Sequence, residues 1–220
     1  MAPPVKVLRA LALAGPVLFT LDWILLGWSH PGYHFRRETI SALSAHNATG
    51  WPTMAAGQVV LAASFVAVAV AGLRALGRRG APTAALLVLA ALGTIQATVF
   101  RTICTTTNAA WCTPLPGTAY PHQQWAHGIG TGIAFASLLL ACLACAVATW
   151  GVDGLRDLAV VCLVALGIAL PSVVWFLRNV DTTWHGLSEK LFLTSLASFV
   201  AFAGWRLTSI PAGREPQEET

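Results

Sequence analysis

Six stretches dominated by apolar side chains alternate along the chain with polar connections: Val7–Trp28, Met54–Leu73, Ala84–Phe100, Trp125–Trp150, Leu158–Leu177 and Leu187–Leu207. Each lies near the ~20 residues that a helix needs to cross a ~30 Å hydrocarbon layer. The first stretch exceeds the apolar core of a secretory signal, about 7–15 residues, and no small-x-small site closes it, so a retained helix is expected. The connections are unequal. Ser29–Trp51 is long, polar and rich in His; a second long connection begins at Arg101 and a third at Arg178, whereas the others are short. The pattern predicts an all-α integral membrane protein: a bundle of six transmembrane helices with three polar outer loops. Residues 1–207 form the membrane domain, and 208–220 form a disordered cytoplasmic tail.

Composition agrees with this pattern. The chain is 56% hydrophobic and 10% charged, against about 25% charged in soluble proteins. The formal charge of +4 implies no nucleic-acid partner, because the basic residues lie between apolar stretches and form no stripe. They report topology instead. Lys6, Arg9, Arg74, Arg78, Arg79, Arg156, Arg206 and Arg214 fall on one side; Arg36, Arg37, Arg101, Arg178 and Lys190 fall on the other. The excess of cations predicts a cell-membrane protein with both termini cytoplasmic.

That topology gathers all six histidines, His30, His34, His46, His122, His127 and His185, on the outer side. Long, chemically loaded loops often carry function, although Trp and other amphipathic residues also collect at headgroup depth for membrane anchoring alone. Cys104 and Cys112 share the second outer loop, where an oxidising compartment favours a disulfide worth roughly 2–3 kcal/mol. Cys142, Cys145 and Cys162 lie in apolar helices as small hydrophobes. Asp22 is expected inside the first helix and therefore needs a partner; Arg101 and Lys190 are the candidates. Gln58, Gln96, Thr98, His127 and Glu189 sit at comparable depth, either lining an outward-facing polar cavity or bonding helix to helix. Gly128 and Gly132, with Gly130 between them and Ala136 continuing the stripe, offer a surface for close helix packing, and Pro16 and Pro171 predict bends.

The stretch "HPGYHFRRETISALSAHNATGW" is similar to the first-loop signature of the domain-of-unknown-function family 998, multi-span membrane proteins of bacteria and archaea. The matching positions are Pro31, Gly32, Tyr33, Arg36, Arg37, Ile40, Ser41, Leu43, Ser44, Gly50 and Trp51. A His opening the fourth helix in "HQQWAHGIGTGIAF", and a polar-basic pair in "GLSEKLFLTS", Glu189 and Lys190, extend the resemblance over nearly the whole chain. Many members carry an Asp just after the third helix, where this chain reads Arg101-Thr102-Ile103-Cys104, so chemistry belonging to that Asp does not transfer. The resemblance implies a fold and a membrane location, and no reaction.

Three functions fit the residues. One is binding or handling of a membrane lipid, an isoprenoid or another small hydrophobic molecule at the outer polar face. Another is an intramembrane enzyme, a lipid hydrolase or isoprenoid cyclase, with His127, Asp22 and Glu189 as its acid–base groups. The third is an accessory partner of another membrane protein. Arg101, Lys190, Gln58, Gln96, His46 and His185 are the candidate substrate-binding residues. No HExxH or G-x-S-x-G motif occurs. A metal held by histidines of separate loops stays open, and no cofactor is assigned.

Overall fold

A computed structural model describes residues 4–30, 32–46, 48–103, 121–179 and 183–210. Each of the six apolar stretches is a helix: α1 Val5–Ser29, α3 Trp51–Leu76, α4 Ala81–Val99, α5 Pro121–Trp150, α6 Arg156–Arg178 and α7 His185–Leu207. A short helix, α2 Ile40–Leu43, lies in the connection between α1 and α3. No strand is present among the described residues. Prolines open several helices, with Pro52 and Pro82 at the first turns of α3 and α4, where a missing N–H costs nothing. Pro16 and Pro171 lie inside α1 and α6.

Five stretches are long and apolar enough to cross a membrane. One of them, Trp51–Val99, covers α3 and α4 together in 49 residues. Between these two helices the chain turns back through a 3-10 corner, Gly77–Gly80. Gly77 sits at φ +54°, a region that a side chain rarely tolerates. Gly80 meets the Gly72 backbone so closely that a Cβ would have no room. The sequence marks a short basic connection here; the corner is what turns the chain from α3 back into α4.

The helices pack in a ring, each against its neighbours in the order α1, α3, α4, α5, α6, α7, and α7 closes the ring on α1 while also reaching α3. Phe192, Phe199, Leu196 and Val200 of α7 are fully buried beside Phe65, Leu87 and Leu158. The outer surface is the reverse of a soluble protein's, with Leu25, Leu92, Val147 and Leu177 all exposed. An apolar belt on this scale needs lipid around it, which identifies a membrane protein.

The packing seam of α5 corrects the expected stripe. Gly128 and Gly132 have nothing within 4 Å of a built Cβ; instead Gly130 lies against Gly93 of α4, where a Cβ would come 2.8 Å from the Gly93 carbonyl oxygen. The seam is therefore Gly93–Gly130, about half a helical turn away from the residues that the spacing suggested.

Side-chain bonds sort the two ends of the ring. The Arg9 guanidinium donates to Thr208 Oγ1 at 3.1 Å, to the Thr208 carbonyl at 3.0 Å and to Ser209 Oγ at 3.1 Å. Arg206 pairs with Asp157 at 2.6 Å. The starts of α1 and α6 and the finish of α7 thus share one basic end. The histidines occupy the opposite end, as the sequence predicts. Cys104 and Cys112, and most of the expected tail, lie outside the described residues.

Candidate functional site

At the histidine end the first loop is fastened to the start of α7. Thr39 caps α2, its Oγ1 accepting from the Ala42 N–H at 3.3 Å. A helix of one turn still leaves orphan N–H donors, and a side chain far away in sequence satisfies one. Glu189 Oε2 accepts from the Ile40 N–H at 2.5 Å, and Oε1 accepts from Ser41 Oγ–H at 3.2 Å. Its neighbour Lys190 donates to the Glu38 carbonyl at 2.5 Å and to the Gly186 carbonyl at 3.3 Å. The same ammonium lies 5.2 Å from the Tyr33 ring centroid, 5.8 Å from Phe35 and 5.9 Å from Trp23, within the reach of cation–π attraction.

Three ionisable side chains are nearly sealed here: Glu38, Glu189 and Lys190 are 5%, 2% and 5% exposed. Burial of such charges is tolerable only when partners satisfy them; Glu189 accepts two hydrogen bonds and Lys190 donates two. Tyr33 completes it by donating to the Glu38 and Thr39 carbonyls, both at 3.2 Å. Burial, then the carboxyls of Glu189 and Glu38, push the Tyr33 phenol far above its ordinary value, so it stays a neutral donor. The Leu187 N–H adds a backbone bond to the Arg36 carbonyl at 2.9 Å. Gly186 allows this contact, since a Cβ there would fall 2.9 Å from the Arg37 carbonyl carbon. The segment Arg36–Ser41 is thereby laid across the first turns of α7 as a latch.

His127 serves a second seam. It is buried, and its Nδ1 lies 2.9 Å from the Ala97 carbonyl and 3.1 Å from that of Phe100. Two carbonyl acceptors require Nδ1 to carry the proton, so the imidazole closes the carboxyl end of α4. Nearby, Gln96 Nε2 donates to the Ala126 carbonyl at 3.1 Å, and Thr98 Oγ1 donates to Gln58 Oε1 at 3.0 Å. These bonds stitch α3, α4 and α5 together. No hydrogen bond or ion pair joins His127, Asp22 and Glu189 to one another.

Asp22 does not find the cation expected for it. Its carboxyl sits over Gly57 of α3, where any Cβ would collide with it, and the ion pair recorded among the described residues is Arg206–Asp157. Lys190 is taken by the Glu38 carbonyl. Arg101 stacks on Trp51 at 3.7 Å, with one terminal nitrogen buried and without a hydrogen-bond partner; this burial lowers its affinity for the proton. The remaining histidines are spread around the rim. His30 bonds Thr49 at 2.8 Å, the His46 N–H bonds the Thr102 carbonyl at 2.8 Å, and His185 stacks on Phe176 at 4.2 Å. Among the described residues no three His, Cys, Asp or Glu side chains gather closely enough to hold a metal ion.

The sequence singled out Glu189 by depth and Lys190 as a candidate partner for Asp22, but not the aromatic cage of Trp23, Tyr33 and Phe35. The signal available was the spacing Tyr33-x-Phe35 three residues before a loop acid, Glu38. Grooves open on the surface of the described residues. One, of about 560 Å³, runs along the carboxyl-terminal half of α6 past Leu170, Pro171, Val174 and Trp175 to Arg178 and Asn179. Another lies at the basic end between α4 and α5.

A family model described as "Protein of unknown function (DUF998)" matches residues 13–206. No curated protein and no solved structure matches the chain.

Proposed function

Since the chain belongs to DUF998, a family of unknown function, we propose a function from its own geometry: the protein crosses the membrane six times, keeps both termini cytoplasmic, and binds an anionic lipid or similar amphiphile from the outer leaflet. The corner at Gly77–Gly80 supports the count of six, because α3 and α4, with 26 and 19 residues, are each long enough for a separate crossing. The excess of Arg and Lys at the end shared by α1 and α7 supports the orientation.

The groove of α6 carries the lipid reading. Its lower wall of Leu170, Pro171, Val174 and Trp175 suits an acyl or isoprenoid chain, and Arg178 stands exposed at its mouth. Trp175 packs 6.1 Å from Trp184, and the Arg36 guanidinium lies 5.2 Å above Trp184. An apolar slot under guanidinium groups and Trp rings at headgroup depth suits a phosphate or carboxylate head, which arginine grips with paired N–H donors. In this reading Glu189 and Lys190 act by holding Arg36 over the groove, and His127, Gln96 and Gln58 keep the helices in register.

The test is lipid retention by the purified full-length protein in native mass spectrometry, with phosphatidylglycerol and phosphatidylcholine as probes. Preference for phosphatidylglycerol is expected to fall about fivefold for each of Arg178→Gln and Arg36→Gln. Equal retention of both lipids, unchanged by either substitution, defeats the reading. A change in mass of the bound lipid over time would replace binding with catalysis.

A further inference from the structure

The second groove sits at the basic end, on the far side of the ring from the outer rim. Pro82 and Leu86 of α4 form one wall, Leu140 and Val147 of α5 the other, and Ala144 and Ala148, one turn apart, leave depth between them. Its volume is about 670 Å³. Val147 is 72% exposed, so none of the described residues covers it. Arg79 of the 3-10 corner lines the groove at its mouth.

We infer that this groove is a binding site for one acyl chain of an anionic phospholipid in the leaflet facing the basic end, with the headgroup phosphate on Arg79. Length is the first argument. From Gly151, just past the end of α5, to Leu140 the groove follows the last eleven residues of α5, a rise of about 16 Å. Half of a ~30 Å hydrocarbon layer is about 15 Å, so the groove has the reach of a single leaflet. A helix of a partner would run the full depth.

Charge is the second argument. Arg78 and Arg79 are exposed in the corner, and Arg156 lies over Trp150, 5.8 Å from its ring centroid, at the adjoining connection. Among the described residues the acids at this face are Asp153 and Asp157, and Asp157 is held by Arg206. Arg79 makes no hydrogen bond or ion pair among the described residues. Its long stem can lie along the groove while the guanidinium stays at the phosphate level. A zwitterionic head would bring a second cation to a surface that already has an excess of them.

The experiment uses the full chain in phosphatidylcholine vesicles doped with phosphatidylglycerol that carries a diazirine in its acyl chain, followed by peptide mapping. Labelling is expected on the α5 segment 140–151 and the α4 segment 82–86. It should exceed labelling by the matching phosphatidylcholine probe about fivefold, and Arg79→Gln should abolish that excess. Ala148→Leu, which fills the groove, should lower labelling by both probes. Arg178→Gln and Arg36→Gln should leave it unchanged, which separates this site from the outer one. Equal labelling by the two probes, insensitivity to Arg79→Gln, or a dimer whose cross-links run through Leu143 would each overturn the assignment, the last by placing a second copy on this face.

Discussion

Replacing Glu189 with Ala removes the acceptor for the Ile40 N–H and for Ser41 Oγ–H, and it leaves Lys190 charged in a pocket where it is 5% exposed. Hydrogen bonds to a charged group are worth about 1.5–3 kcal/mol each. Two such bonds are lost, so about 3–6 kcal/mol is the expected cost. The first loop reports the change directly, because Arg36 and Arg37 are exposed tryptic sites whose backbone is held down by the Leu187 N–H. When opening is fast relative to cleavage, nicking follows the population of the open form, and 3 kcal/mol corresponds to about a hundredfold. Trypsin should therefore cut Glu189→Ala at least a hundredfold faster than the native chain between Arg36 and Glu38, before the helices are attacked. Combining Glu189→Ala with Lys190→Met should cost less than the two single changes added together, since the orphaned charge is gone. A Glu189→Ala protein that melts and is nicked like the native chain would show that the latch does not hold the loop.

Other expectations follow from particular contacts. Gly93→Val should part α4 from α5 and cost several kcal/mol, whereas Gly128→Ala and Gly132→Ala should stay within about 0.5 kcal/mol of the native chain by thermal unfolding in detergent. The chain has two tyrosines, so ultraviolet titration can resolve them. Tyr33 binds its proton more tightly in the folded than in the unfolded chain, so it stabilises the fold up to about pH 10 and loses that contribution above it. One phenol should resist ionisation well above pH 10 until the protein unfolds, and Tyr33→Phe should remove that resistant fraction. His127→Ala should lower stability by about 1–3 kcal/mol through the two abandoned carbonyls of Ala97 and Phe100, with lipid retention unchanged.

The six helices were legible because each apolar stretch is long and set off by Pro, Gly or charge. The four residues of α2 carry no such period, and the order there comes from Glu189, a residue 149 positions further on. Azimuth was the other gap. Composition marks α5 as rich in small residues, but only its packing against Gly93 shows that Gly130, rather than Gly128 or Gly132, faces a neighbour. For Asp22 the rule that a buried acid seeks a cation pointed at Lys190. A backbone carbonyl and three aromatic rings captured that lysine instead, and neither competitor has a charge that sequence reading would count.

The latch joins the first connection of the chain to its last helix, and this has a consequence for biogenesis. A protein threaded into the bilayer from its amino terminus completes Arg36–Ser41 long before Glu189 and Lys190 leave the ribosome. Through most of synthesis that segment has no acid for its bare amides, and the ring stands open between α1 and α6. Arrival of α7 seals both at once, so a polypeptide cut short by even one span would advertise its incompleteness to any protease patrolling that face.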